Sequence, residues 1–141
     1  MMFEIVSASV CETYNLGEKF AKTLKKKQRF ALNGDVGSGK TEFVRGVLSN
    51  LNPEISVSSP TFSIVNSYET KNFVVHHFDF YRIKNIYEFV ELGFEEYLNE
   101  NSVVFVEWAQ MFPEILGKNW ETINFTSISQ NERRIEFSIL F

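Results

Sequence analysis

Cysteine, long apolar runs and targeting features are scarce in this chain, and each shortage excludes a class of protein. The one cysteine, Cys11, excludes an internal disulfide and a metal cage built from cysteines. No apolar stretch approaches the roughly 20 residues that a membrane-spanning helix needs. Residues 1–4 also lack the basic and apolar regions of a signal peptide. The composition therefore predicts a cytoplasmic protein without a membrane partner.

Positive charge is also in short supply. The 18 acidic residues outnumber the 14 lysine and arginine residues, which gives a formal net charge of −4. Proteins that bind nucleic acid unaided rely on Lys and Arg at the phosphates, so stand-alone nucleic-acid binding is not expected. The main basic run lies at residues 22–29. It is interpreted as a solvated helix end, where positive charge suits the helix dipole, with a docking patch as the alternative.

What is present is an ordinary globular composition. The 141 residues are 44% hydrophobic and 23% charged, which predicts a single domain over residues 1–141. The apolar patterns predict an α/β fold with a mixed β-sheet flanked by helices. Helices are predicted from Ser9 to about Lys26, over residues 43–51 and, broken near Gly93, over 86–98. Strands are predicted at residues 29–33, 62–68, 73–81, 103–106, around 123–125 and at 135–141.

Two short sequence features concern the first two predicted helices: one marks where the first helix begins, and the other marks a point where the second helix packs closely against another part of the chain. Ser9 and Glu12 have the S-x-x-E spacing of a capping box, which satisfies two backbone amides at a helix start. Gly46 inside the second helix costs about 1 kcal/mol relative to alanine. We therefore expect another part of the chain to approach closely at Gly46. The polar stretch at residues 52–61 is predicted to be a surface loop.

One segment matches the phosphate-binding pattern G-x-x-x-x-G-K-[ST] at every required position: Gly34-Asp35-Val36-Gly37-Ser38-Gly39-Lys40-Thr41. Its three glycines let successive backbone amides point inward around an anion, and the following helix adds its positive N-terminal end. Lys40 would place a cation on the β- and γ-phosphates, and the Thr41 hydroxyl would ligate Mg²⁺. The apolar strand before this segment and the helix after it are the setting that this mechanism requires. The segment therefore predicts a P-loop.

A P-loop also needs an acidic residue at the end of a buried strand to hold the metal. Glu107 ends the most continuous apolar run of the chain, and Asp79 ends a less continuous one that contains His76 and His77. The pattern favours Glu107 and leaves Asp79 open. The spacing around the two histidines does not resemble a zinc site.

Thr61 stands at the end of the polar loop, directly before a predicted strand. A residue there could reach over the γ-phosphate and rearrange on hydrolysis, as switch loops do. Alternatively, Thr61 has no role at the phosphates and is simply the residue after Pro60 at which the strand begins.

The choice of nucleotide and reaction depends on features that the chain lacks. No segment has the Asn-Lys-x-Asp pattern with which GTPases read guanine, and this absence favours ATP. A small-molecule kinase would need a lid rich in arginine, whereas Arg82, Arg133 and Arg134 are scattered. A regulatory switch that binds nucleotide with negligible turnover is the other alternative.

Several motifs, in this order and spacing, resemble the bacterial TsaE (YjeE) family, the ATPase of tRNA threonylcarbamoyladenosine biosynthesis. They lie at residues 32–41, 45–46, 59–62, 77–82, 92–97 and 106–108. The His-Phe-Asp-Phe-Tyr-Arg and Val-Glu-Trp segments are far more specific than the P-loop alone. The resemblance runs from Ser9 to about Glu136.

The resemblance implies a P-loop fold that binds ATP and Mg²⁺. It also implies two partner proteins, TsaB and TsaD, which make threonylcarbamoyladenosine at position 37 of tRNAs that read codons starting with A. In that family TsaD carries out the carbamoyl transfer, and the TsaE-like subunit hydrolyses ATP to reset the complex. tRNA would then be reached indirectly, through the complex, which agrees with the acidic charge of this chain.

The resemblance further implies roles for single residues. Thr41 and Glu107 would be the metal ligands, whereas Thr61 and Asp79 would flank the γ-phosphate. Trp108 corresponds to the tryptophan that the family carries beside the site.

The resemblance also implies roles for two residues near the two ends of the matching stretch. Thr13 falls in a segment that lies near the adenine in the family. Arg134 falls where the family often carries a basic residue near the nucleotide, and Arg133 is the alternative.

Overall fold

Seven strands form one mixed sheet in the computed structural model, which describes residues 2–55 and 63–141. The strands are β1 (Phe3–Ser7), β2 (Arg29–Asn33), β3 (Val65–Glu69), β4 (Val74–Asp79), β5 (Ser102–Glu107), β6 (Glu121–Ser127) and β7 (Arg133–Phe137). Their order across the sheet is β1-β7-β6-β2-β5-β4-β3. The central strands β6, β2, β5 and β4 are parallel, and β1, β7 and β3 join antiparallel. The predicted mixed α/β architecture is confirmed.

The described residues form four α-helices around this sheet: α1 (Val10–Ala21), α2 (Lys40–Leu51), α3 (Tyr87–Leu92) and α4 (Phe94–Tyr97). Among them, no helix combines the length and the apolar character needed to cross a bilayer. The predicted break between the two short helices is confirmed at Gly93, which adopts a left-handed conformation with φ 71°.

Helix α1 begins with the predicted Ser9 cap, while the Glu12 side chain reaches back one residue beyond Ser9, to Ala8. The Glu12 backbone N–H donates to the Ser9 hydroxyl at 3.0 Å, and the Glu12 carboxylate accepts from the Ala8 N–H at 2.6 Å. The helix ends at Ala21, earlier than the predicted end near Lys26. The chain leaves the helix there because the amides that follow bond to carbonyls three residues back, and Lys27 then turns it with φ 74°.

Helices α1 and α2 cross at two glycines. A Cβ atom on Gly46 would lie 1.9 Å from the Tyr14 carbonyl oxygen, and one on Gly17 would lie 2.2 Å from the Phe43 carbonyl oxygen. Backbone atoms cannot yield as the end of a side chain can, so only glycine allows the two helices to approach this closely. The predicted close approach at Gly46 is confirmed.

Strand β5 is buried along its whole length, as its apolar sequence predicts. Alternate residues face opposite layers: Val103 and Phe105 pack with α1 and α2, and Val104 and Val106 pack with the aromatic cluster around α3 and α4. The Phe105 ring stacks on Phe30 of β2 with the centroids 5.0 Å apart. The two apolar layers fix the sheet in place and leave the carboxyl ends of its central strands free to build a site.

Strand β1 is an element that the sequence patterns did not predict. It pairs antiparallel with β7 at the edge of the sheet, with Phe3 opposite Phe137. Strand β7 is also shorter than predicted and ends at Phe137. Beyond its end, Phe141 packs against Phe20, with ring centroids 5.0 Å apart.

Strand β4 ends at Asp79 rather than at the predicted Tyr81. The Asp79 carboxylate accepts a hydrogen bond from the Tyr81 N–H at 3.0 Å and so caps a short 3₁₀ turn, Phe80–Arg82. The predicted β3–β4 hairpin is present, and β3 begins at Val65. Phe62, where the first strand of that hairpin was predicted to start, lies outside the described residues.

Candidate functional site

The glycine-rich segment of residues 34–41, here called the phosphate loop, joins the end of β2 to the start of α2. Gly34 and Gly39 have φ 151° and 105°, a region that residues with a Cβ rarely adopt. A Cβ on Gly34 would also lie 2.6 Å from the Phe125 carbonyl oxygen. The loop follows this path because both positions are glycine. It opens beside the carboxyl ends of parallel strands, where α/β sheets bind their ligands.

A cavity of about 380 Å³ lies over the phosphate loop. Its lining comprises Val10, Thr13, Val36, Gly37, Ser38, Gly39, Lys40, Thr41, Glu42, Glu107, Trp108 and Arg133. The N-cap of α2 is Gly39, which offers no side chain to the first amides of the helix. Those amides and the positive end of the helix dipole are a favourable setting for an anion.

Lys40 is buried at the floor of this cavity, with 4% of its surface exposed. Its Nζ atom donates to the carbonyl oxygens of Gly34 and, at 2.9 Å, of Asp35. Burial lowers the pKa of Lys40, and the negative charges of Glu107, Asp35 and Asp79 oppose that shift. The ammonium therefore lies where phosphate oxygens would meet it.

Thr41 and Glu107 meet at the carboxyl end of β5. The Thr41 hydroxyl lies 2.9 Å from Oε1 and 3.1 Å from Oε2 of Glu107. On the other side, His77 Nε2 hydrogen-bonds Oε2. Burial by itself raises the pKa of Glu107, but the bonds from His77 and Thr41 and the charge of Lys40 outweigh it and hold the pKa below its ordinary value. Glu107 is thus held as a carboxylate directly beside the threonine of the phosphate loop.

Asp79 ends the strand next to Glu107, and the two are direct partners across β4 and β5. Besides the Tyr81 N–H, its carboxylate contacts Arg82 Nε at 3.5 Å. Burial raises the pKa of Asp79; the Tyr81 N–H opposes this shift, and the charge of Glu107 adds to it. Both acids considered from the sequence therefore lie at one edge of the sheet, but Glu107 alone of the two lines the cavity among the described residues.

Three further predicted residues line the cavity. Thr13 is fully buried, and its hydroxyl lies 2.8 Å from the Ser7 hydroxyl. Val36 is 82% exposed at the tip of the phosphate loop. Trp108 has φ 60°, an unusual value for a residue with a large side chain, and its ring packs on Tyr81 with centroids 4.9 Å apart.

The structure separates Arg134, predicted to lie beside the nucleotide, from its alternative Arg133, which lines the cavity. Arg134 points away from the cavity, and its Nε atom lies 3.6 Å from the Glu4 carboxylate of β1. Its neighbour Arg133 faces the cavity because successive residues of β7 point to opposite faces. Arg133 Nη2 donates to the Gly37 carbonyl at 2.9 Å. The alternative basic residue considered from the sequence is therefore the one at the site.

Two residues complete the comparison with the sequence. Thr61 lies outside the described residues. The spacing around His77 does not resemble a zinc site and predicts no contact for it, whereas in the structure His77 contacts Glu107. The spacing of His77 and Asp79 could have indicated this contact. Residues two apart on a strand share a face, so His77 lies on the same face of β4 as Asp79, the direct partner of Glu107.

The donor atoms beside the phosphate loop fit a hard cation. Thr41 and Glu107 supply oxygen atoms, the type of ligand that Mg²⁺ takes, together with phosphate oxygens and water. No cluster of three or more His, Cys, Asp or Glu side chains in residues 2–55 and 63–141 could hold a metal by itself. The protein would therefore supply few of the metal ligands, as is common for Mg²⁺ sites in which nucleotide phosphates and water supply the others.

The parallel centre of the sheet, the glycine loop between β2 and α2, and the acid at the end of β5 define an α/β domain with the P-loop fold. The family model described as "Threonylcarbamoyl adenosine biosynthesis protein TsaE" matches residues 7–135 of the chain. The chain belongs to the TsaE family.

Individual relatives agree with this assignment. A Rickettsia felis protein named "tRNA threonylcarbamoyladenosine biosynthesis protein TsaE" is 37% identical over 123 residues, covering 86% of this chain and 71% of its own. The Bacillus subtilis protein of the same name is 33% identical over 127 residues, covering 90% and 79%. The crystal structure of YdiB from Bacillus subtilis superposes with a TM-score of 0.79 at 26% identity, covering 97% of this chain and 84% of that one.

Proposed function

We propose that this chain is the ATP-binding and ATP-hydrolysing subunit of a complex that makes N6-threonylcarbamoyladenosine at position 37 of tRNAs reading ANN codons. The observation that carries the proposal is the contact between Thr41 and Glu107 at the end of the phosphate loop. It pairs the loop hydroxyl with a buried carboxylate, the two protein groups that a nucleotide-bound Mg²⁺ requires. Family membership and the names of the relatives support the pathway.

Phosphate binding follows from the loop and the helix behind it. The loop amides and the N-terminal end of α2 receive the α- and β-phosphates, and Lys40 neutralises the β- and γ-phosphates. Lys40 already sits within hydrogen-bond reach of loop carbonyls, so it needs only to exchange these weak acceptors for phosphate oxygens. Thr13 and Arg133 border the cavity on the side of α1 and β7, where they would contact the rest of the nucleotide.

Thr41 and Glu107 would hold the metal, which would supply charge neutralisation for the phosphates. Asp79 flanks the γ-phosphate, together with Thr61. A carboxylate whose pKa is raised, as burial raises that of Asp79, is a better proton acceptor than an ordinary one. The raised pKa supports a role for Asp79 in acting on the attacking water.

The partners proposed are TsaB and TsaD, with tRNA bound by the assembly rather than by this chain. The net charge of −4 supports an indirect relation to tRNA, because a protein that binds nucleic acid unaided needs excess positive charge. In this scheme, carbamoyl transfer belongs to TsaD, and ATP hydrolysis here resets the complex between turnovers.

Phosphate release from ATP tests the proposal, measured for this chain alone and with TsaB, TsaD and tRNA added. We expect slow release alone and faster release in the complete mixture, and no release when Lys40→Ala replaces the wild-type chain. A rate that the partners leave unchanged contradicts the proposed role. Transfer of phosphate to a small acceptor would instead identify a kinase, and tight binding without any turnover would identify a regulatory switch.

A further inference from the structure

His77 lies fully buried on β4, directly behind the Glu107 carboxylate. Its Nε2 atom must carry a proton in order to bond a carboxylate, so the hydrogen bond to Oε2 assigns the proton to that nitrogen. The other ring nitrogen, Nδ1, is buried and has no hydrogen-bond partner in the described part of the chain.

This arrangement would lower the stability of the fold if packing were the only role of His77. A buried polar atom without a partner is destabilising relative to an apolar group of similar shape. The neighbouring interior of β4 and β5 is filled with Phe and Val side chains, so an apolar ring would suit the same space. Stability alone therefore does not account for a histidine at position 77.

The geometry around Glu107 offers a different account. A carboxylate on a flexible side chain can rotate, and a metal ligand binds well only if its oxygens are held in the right direction. His77 fixes Oε2 from the interior of the sheet, while the Thr41 hydroxyl meets both oxygens from the side of the phosphate loop. The three residues belong to β4, β5 and α2, so the contact also joins the elements that carry the site.

We propose that His77 is a positioning residue that orients the Glu107 carboxylate to receive the nucleotide-bound Mg²⁺. This inference rests on the proposed function, because it assumes that Thr41 and Glu107 hold the metal. His77 itself touches neither metal nor nucleotide and acts through Glu107.

A matched pair of variants tests the bond. In His77→Gln the side-chain NH₂ can reach the position of Nε2, whereas in His77→Asn it reaches only as far as Nδ1, so both variants are polar but only one keeps the donor near Glu107. His76→Gln is the control, since His76 is the adjacent histidine, and its Nδ1 atom bonds the Ser67 hydroxyl 2.7 Å away, outside the site.

The measurement is the affinity for a non-hydrolysable ATP analogue, titrated with increasing Mg²⁺ and also in its absence. We expect His77→Asn to raise the Mg²⁺ concentration for half-maximal tightening about ten-fold, as loss of a residue that orients a metal ligand does. His77→Gln and His76→Gln should stay close to wild type, and metal-free affinity should be unchanged in all three. Equal weakening with and without Mg²⁺ in His77→Asn would overturn the inference.

A double substitution shows whether His77 acts through Glu107. In a Glu107→Gln background the further change His77→Asn should have no additional effect on the Mg²⁺ dependence, because the carboxylate to be oriented is gone. An effect of the same size in both backgrounds would mean that His77 acts by another route. If wild type shows no Mg²⁺ dependence at all, the proposed metal site itself fails. If wild type depends on Mg²⁺ but substitutions at position 77 do not change that dependence, the metal site stands and only the role of His77 fails.

Discussion

The Nζ atom of Lys40 lies 4.3 Å from the centroid of the Trp108 ring. The cation of the phosphate loop is therefore in contact with an indole that also lines the cavity. The ring of Tyr81, which is 60% exposed, also packs on this indole. An aromatic face attracts a cation most strongly where water is excluded, and Lys40 is almost completely buried. The environment of the Trp108 ring therefore depends on the position of the Lys40 ammonium group, which the phosphates would attract.

Trp108 fluorescence should change when ATP binds, because Lys40 then turns from the indole toward phosphate oxygens. The chain has two tryptophans, so Trp120→Phe leaves Trp108 as the sole reporter. We expect a saturable change of intensity in Trp120→Phe on titration with ATP. When Lys40→Met is added to the same background, the change should be largely lost at ATP concentrations that still fill the site. An unaltered change at saturation in that double variant would show that Lys40 does not cause it.

Arg133 and Arg134 provide a matched test of which β7 side chain reaches the nucleotide. Arg133 lines the cavity and bonds Gly37, whereas Arg134 lies beside Glu4. We expect Arg133→Ala to weaken ATP binding about ten-fold or more, the usual loss for a single charge-assisted hydrogen bond. Arg134→Ala should bind as wild type does in the same calorimetric titration. The reverse order of effects would favour Arg134 as the residue near the nucleotide.

Gly46 should tolerate no larger residue, because a Cβ there would meet the Tyr14 carbonyl oxygen at 1.9 Å. We expect Gly46→Ala to lower the free energy of unfolding by about 1–3 kcal/mol through overpacking, despite the better helix propensity of alanine. Urea denaturation measures this change. Gly117→Ala is the control, since nothing lies within 4 Å of its Cβ position, and it should unfold at a urea concentration close to that of wild type. Similar stabilities for the two variants would contradict the close crossing of α1 and α2.

His76 should make stability depend on pH. Burial lowers the pKa of His76, and the charge of Arg29 adds to this shift. The unfolded chain therefore binds the extra proton first, near pH 6.5, so the contribution of His76 is complete above that pH and is lost as the pH falls toward the lower folded pKa. We expect the unfolding free energy of wild type, relative to His76→Gln, to decrease as the pH is lowered below about 6.5. A constant difference across that range would contradict the lowered pKa.

Features that depend on a few neighbouring residues could be predicted from the sequence. The Ser9 cap needs only Glu12 three residues later, and the phosphate loop needs only its own glycines, Lys40 and Thr41. The buried strand that ends in Glu107 was likewise marked by its own apolar run. These signals located most of the candidate site without knowledge of how the strands pair.

Features that depend on strand register could not be predicted. Strand β1 has only five residues, and its edge position is defined by pairing with β7, more than a hundred residues away in the chain. A shift of one residue in β7 would exchange the faces of Arg133 and Arg134, and nothing local distinguishes the two. The contact of His77 with Glu107 likewise depends on how β4 aligns with β5.

Binding of ATP to wild type and to Lys40→Ala, measured by calorimetry with and without Mg²⁺, tests the central claim most directly. We expect wild type to bind ATP, and to bind it more tightly with Mg²⁺, because Thr41 and Glu107 then contribute through the metal. In Lys40→Ala the affinity should fall about ten-fold or more, since the buried cation of the phosphate loop is removed. A wild-type chain that does not bind ATP, or a Lys40→Ala chain that binds it equally well, would contradict the account.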